Sequence, residues 1–144
     1  MRLSSRKLAV SLARRLNEVV PPSFELRANQ PLILPPPFGQ SSCPLALYID
    51  GSFDTTLSAV EGVEDESREF PERLDDSVCA VLNSVQESVS EHLRIPWPSI
   101  YGRKMAAPNV RYWAGNVRLW YGDSGEDPVL GIRHIPLAEI TDDA

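Results

Sequence analysis

Apolar residues recur along this chain in two rhythms, and the change from one to the other marks out its elements. Near the start, Leu8, Leu12, Leu16 and Val19 fall three or four residues apart and form one helical stripe, with Arg6, Arg14, Arg15 and Glu18 off it. Ser4 or Ser5 stands where a cap belongs, and Pro21-Pro22 stops the helix. A longer run lies between Pro71 and Pro96, where Leu74, Val78, Val81, Val85, Val89 and Leu93 repeat at helical spacing. Pro71 suits the first helical position. Asp75 and Asp76 come early and His92 and Arg94 late, as the helix dipole favours.

The rest of the pattern is strand-like. "SFELRA", "PLIL" and "LALYIDGSFDTTLSAV" are short β-prone runs, and Asp50-Gly51 predicts a type I′ hairpin inside the last. Pro35, Pro36 and Pro37, followed by Phe38-Gly39, read as a polyproline loop. The C-terminal "NVRYWAGNVRLWYGDSGEDPVLGIRHIPLAEI" predicts three antiparallel strands over 110–114, 117–121 and 129–135. A tight turn at Gly115-Asn116 and a looser one over 122–128 join them, and "PLAEI" is too short to assign. The order α-β-β-β-β-α-β-β-β predicts one α+β domain over 1–144, two-layered, with both helices on one face of an antiparallel sheet. Element order, length and acidity resemble the small homodimeric type III secretion chaperones. That resemblance implies a homodimer that holds segments of a partner protein.

Charge sharpens this picture. The net charge is −6, but it is segregated. Residues 1–20 balance at +4, residues 50–91 at −10, and residues 92–122 hold five bases and no acid. A dipolar chain of this kind suits protein partners or self-association. The acidic total argues against a dedicated nucleic-acid binder. The basic, serine-containing first segment resembles a transit peptide, but it runs directly into strand-like sequence and reads as a docked amphipathic helix. No apolar run is long enough for a membrane span. Cys43 and Cys79 form neither a CxxC nor a metal spacing, and read as reduced thiols of a cytoplasmic protein. Arginine outnumbers lysine twelve to two, the usage expected of a GC-rich, bacterial genome.

Four stretches invite a catalytic reading. "GDSG" (Gly122 to Gly125) resembles the nucleophile motif of chymotrypsin-like serine proteases, but the match ends at Gly125, and Gly-Asp-Ser-Gly before Asp-Pro is turn chemistry. "IDGSFDTT" resembles the haloacid dehalogenase pattern, yet its second aspartate, Asp54, comes four residues after Asp50 rather than two. Glu64-Asp65-Glu66 lacks the glycine and spacing of a calcium loop. A nucleophilic Cys43 with His92 or His134 needs an activating setting that the sequence does not supply. With no phosphate-binding glycine loop and no zinc set, no catalytic residue, metal or cofactor is expected.

The C-terminal hairpin offers a surface instead. Side-chain alternation puts Val110, Tyr112, Ala114, Val117, Leu119 and Tyr121 on one face, which is core chemistry. The other face holds Arg111, Trp113, Arg118 and Trp120. Arginine over tryptophan is a favoured cation–π pair, and both types are enriched at binding hot spots. These four residues are the expected partner-binding site of a non-enzymatic interaction module (chaperone-, adaptor- or immunity-like). The alternative is a small hydrolase or transferase with an unrecognised site.

Overall fold

The computed structural model of the chain describes residues 2–28, 32–33, 41–42, 44–57 and 60–142. Strand β1 (Arg2–Leu3) leads into helix α1 (Ser5–Asn17), followed by β2 (Phe24–Ala28), β3 (Leu32–Ile33), β4 (Ser41–Ser42), β5 (Leu45–Ile49) and β6 (Ser52–Thr56). A 3-10 turn over Glu61–Glu64 precedes helix α2 (Phe70–Leu93). Then come β7 (Ser99–Ile100), β8 (Lys104–Met105), β9 (Pro108–Trp113), β10 (Asn116–Tyr121) and β11 (Leu130–Pro136). A second 3-10 turn, Leu137–Ile140, runs into β12 (Thr141–Asp142), which pairs with β1. The polyproline loop and Cys43 lie outside the described residues.

The class is the expected one: α+β, with two helices packed on antiparallel strands. The strands are divided, however. Among the described residues they form two three-stranded sheets, β2-β5-β6 and β11-β10-β9, with three two-residue ladders beside them. Periodicity fixes which side chains share a face of a strand but not which strands become neighbours. Helix α1 packs against β2 and β11, one edge strand of each sheet, and α2 against β9.

Helix α1 starts where the sequence predicts, with the Ser4 hydroxyl accepting the Lys7 N–H at 3.2 Å. Leu8, Leu12 and Leu16 are fully buried. Arg15, which the stripe leaves on the polar side, is buried as well, at 2 % exposure. Its Nε donates to the His134 carbonyl at 3.2 Å and its Nη2 to Glu139 at 3.0 Å. A guanidinium with a partner for its charge and a long apolar stem can occupy a core position that a hydropathy pattern marks as polar. Two residues on, Asn17 makes a paired contact with Leu26 of β2: it donates to the carbonyl at 2.9 Å and accepts the N–H at 2.7 Å. Arg15 and Asn17 thus close the edge strands β11 and β2 with side-chain hydrogen bonds.

Helix α2 buries the expected Leu74, Val78, Val81, Val85 and Val89, and half-buries Leu93. Leu82 and Gln86 are buried too, so the covered face is wider than one stripe. On this added flank the Tyr121 hydroxyl donates to the Leu82 carbonyl at 2.7 Å, and Gln86 Nε2 to the Ala106 carbonyl at 2.5 Å. Arg94, with φ at 60°, ends the helix in the left-handed region just before Pro96.

Both hairpins turn through two residues at positive φ, the type I′ geometry that suits the strand twist. In the first these are Asp50 (51°) and Gly51 (82°), as expected. In the second they are Ala114 (50°) and Gly115 (80°), one residue earlier than the expected Gly115-Asn116. Glycine occupies the second central position, and Asn116 joins the ladder opposite Trp113. Arg118 therefore faces Arg111 instead of Trp113. This is a shift of two residues along β9, so the paired side chains keep their expected faces, but Ala114, expected on the core face, is an exposed turn residue instead.

Candidate partner-docking face

The outer face of the β11-β10-β9 sheet gathers all four residues expected to bind a partner. The inner face is core: Val117, Leu119 and Tyr121 of β10 are buried, with Ile132 and Ile135 of β11 beside them. Burial raises the Tyr121 hydroxyl far above its ordinary value and keeps it a neutral donor to Leu82.

On the outer face β9 presents Asn109, Arg111 and Trp113, and β10 presents Asn116, Arg118 and Trp120. The stacking runs along each strand and not across it. The Arg111 guanidinium lies 5.5 Å from the Trp113 ring centre, and that of Arg118 lies 6.0 Å from Trp120. Across the strands, like meets like. Arg111 is directly opposite Arg118, and Arg118 in turn faces the irregularity of β11 at Arg133 and His134. A cationic row thus crosses all three strands, an arrangement that costs stability unless something offsets it.

The row is offset unevenly. Arg133 ion-pairs with Glu18 of the α1 terminus at 2.8 Å. The hydrogen bond from Arg133 holds the Glu18 carboxyl below the usual carboxylate range, and its acceptance by Glu18 raises the Arg133 guanidinium. Arg118 Nη2 donates to the Gly125 carbonyl at 3.2 Å. Arg111 has no ion pair among the described residues.

The two tryptophans differ in the same way. Trp120 is half-buried because the 122–128 loop folds back on it. A Cβ on Gly125 would sit 3.2 Å from Trp120 Cζ2, so the loop approaches more closely than a larger residue allows. The Gly122 carbonyl accepts from Trp120 Nε1 at 3.1 Å and from Asn109 Nδ2 at 2.6 Å. Gly122 itself, at φ 128°, has no room for a Cβ, which would lie 2.8 Å from the Val129 nitrogen. Ser124 is a turn residue: its hydroxyl accepts the N–H groups of Glu126 and Asp127 at 3.2 and 3.4 Å. Beside this loop runs an open groove of about 260 Å³, lined by Arg118, Trp120, Gly125, Arg133 and His134 among others. Trp113 has no such cover and is 64 % exposed.

The other candidates are dispersed or structural. Cys79 is half-buried, and burial, together with Asp75 and Asp76, raises its thiol, which opposes a nucleophilic role. The His92 ring packs edge-on against Phe24 at 5.3 Å. His92 also lines an open polar groove of about 570 Å³ with Asp54, Thr55, Ser88, Glu91 and Arg94. Of the acidic trio, Glu64 accepts from Ser5, Asp65 from Ser67 and Glu66 pairs with Arg2. Among the described residues no group of three or more His, Cys, Asp or Glu side chains is placed to hold a metal. Nor is any helix there long and apolar enough to cross a membrane.

Sequence reasoning missed Arg133 and His134 as members of the face. The regular alternation of "LGIRHIP" is broken by the irregularity opposite Arg118, which sets two consecutive residues beside one partner. Comparison with family models, with curated proteins and with solved structures finds no match, so the geometry of this face carries the functional reading.

Proposed function

We propose that this chain is a non-enzymatic protein-interaction module, chaperone-, adaptor- or immunity-like, that docks a partner through the outer face of β9 and β10. One observation carries this reading: Trp113 leaves 64 % of its surface in water beside an arginine that has no acid to pair with among the described residues. A large ring flanked by a guanidinium on a rigid strand is the composition of a binding hot spot. Arg118, tied to the 122–128 loop, continues the surface across the hairpin, and Trp120, held by the same loop, lies on the far side of the Arg111–Arg118 pair from Trp113.

Site-specific photo-cross-linking tests the reading. A benzoylphenylalanine at position 113 is expected to capture a partner protein or a second copy in cells. The same group at position 53, also an exposed aromatic site (58 % exposed), is expected to capture neither. Equal yields from the two positions would refute the assignment of this face.

A further inference from the structure

The free edge of β9 leads from the docking face to the form of its partner. Trp113 and Asn116 flank the two-residue turn, and so form a hydrogen-bonded pair. Alternation makes Arg111–Arg118 and Asn109–Trp120 the next such pairs. The main-chain N–H and C=O groups of Val110 and Tyr112 therefore point away from β10. No strand pairs with that side among the described residues, and no other main-chain group bonds to it there. The edge strands next to α1 differ, since Asn17 and Arg15 occupy them. Pro108 shares the outward parity but has no N–H, which confines the available donors to Val110 and Tyr112.

The geometry points to an extended acidic segment of a partner protein that adds to β9 as a fourth strand. This inference rests on the reading of the outer face as a docking surface. Outward side chains of an added strand would stand beside Arg111, at the open end of the row that continues through Arg118. Carboxylates there would relieve the like-charge contact that the sheet itself leaves uncompensated. Inward side chains would meet Tyr112 and Phe70, two half-buried rings in edge-to-face contact at 5.1 Å, and would complete their cover. The expected segment thus alternates acidic with apolar residues. A second copy fits less well, because joining β9 to β9 would bring two cationic rows together.

Amide hydrogen exchange with defined peptides tests this. The probe is a peptide as long as β9 with alternating Glu and Val, compared with its Lys–Val counterpart and with oligothymidylate. In the free protein the Val110 and Tyr112 amides are expected to exchange fast. The Glu–Val peptide should slow them at least about tenfold, and the Lys–Val peptide should not. Arg111→Glu should lower Glu–Val affinity at least about tenfold by reversing the attraction. Val110→Pro, which removes an outward donor and leaves the β10 ladder intact, should abolish protection at Tyr112, with circular dichroism reporting the fold. If Val110→Pro unfolds, Arg111→Glu decides alone. Slow exchange in the free protein, equal binding of the Lys–Val peptide, no protection by the Glu–Val peptide, or protection by oligothymidylate would each overturn the inference. So would a dimer in light scattering that protects the same amides. If position 113 cross-links a partner while these amides stay fast in the complex, the docking face stands and strand addition fails. If neither occurs, both fail.

Discussion

On the outer face of the β2-β5-β6 sheet, Arg27 lies 3.9 Å over the Tyr48 ring, and Phe53 meets Tyr48 edge-on at 5.8 Å. Glu25, on the same strand, pairs with Arg27 at 2.7 Å. The β11-β10-β9 sheet also stacks arginine on aromatic rings, yet its stacks are looser, its arginines face one another and Arg111 has no acid among the described residues. Both faces leave a ring exposed, Phe53 on one and Trp113 on the other, but only the first pairs its stacked arginine with an acid among the described residues. The edges are alike: α1 covers β2 in one sheet and β11 in the other, and among the described residues β6 and β9 each pair with a strand on one side only. Cation–π pairs alone therefore do not mark a binding face. What marks it is a cation and a ring that remain unsatisfied beside an open edge.

The sharpest break of the contrast between covered and open edges is at the sealed edge of β11. Arg15→Ala is expected to cost about 3 kcal/mol in urea unfolding, the low end for a broken buried pair because Glu139 keeps 35 % of its side chain exposed. Against the burial that would raise it, hydrogen bonds from Ser11 and Arg15 hold Glu139 below the usual carboxylate range, and the substitution removes one of them. A double Arg15→Met, Glu139→Leu variant should recover most of the loss, since two apolar groups replace the pair without leaving a charge. A loss below about 1 kcal/mol in the single variant would mean that the pair does not lock α1 to this sheet.

The sealed edge of β2 should respond less. Asn17→Ala removes two hydrogen bonds and is expected to cost about 1–2 kcal/mol. Leu26 should change from slow to fast amide exchange, while Val110 and Tyr112 are fast before and after. Protection of Leu26 that survives the substitution would show that another group guards β2, and the two edges would no longer differ as described.

Much of this organisation is legible in the sequence. The α2 face is read correctly from Leu74 to Val89 because one period governs a long helix. Leu82 escapes because it lies one residue outside the stripe, on the flank that meets Tyr121 and Ala106. The faces of β9 and β10 survive a misplaced turn because strand alternation tolerates a shift of two. Other features need the fold. Arg15 reads as a surface base until Glu139, distant in sequence, arrives beside it. The division into two sheets depends on strand neighbours, which no local pattern specifies. The cover on Trp120 had one trace in the sequence: Gly125 could be read as turn chemistry, but not as the contact that lets a loop lie against an indole.

The smallest expected effect separates the two outer faces most finely. Arg27→Ala uncovers Tyr48 and leaves Glu25 without its cation, so it should lower the melting temperature measurably at neutral pH. Arg111→Ala should leave it unchanged within error. Losing the stack on Trp113 and relieving the like-charge contact with Arg118 act in opposite directions, and no acid among the described residues loses a partner. Acid provides the second axis. The hydrogen bond from Arg27 holds Glu25 below the usual carboxylate range, so the stability it contributes is present above the ordinary glutamate value and lost as pH falls through the depressed one. The gap between wild type and Arg27→Ala should therefore close on acidification, and salt should narrow it because the pair is exposed. The Arg111→Ala curve should follow wild type at every pH. Thermal melts across that acid range, at low and high salt, would decide: a gap for Arg111→Ala that closes in the same way would reveal an acid paired with Arg111 and remove the distinction between the two faces.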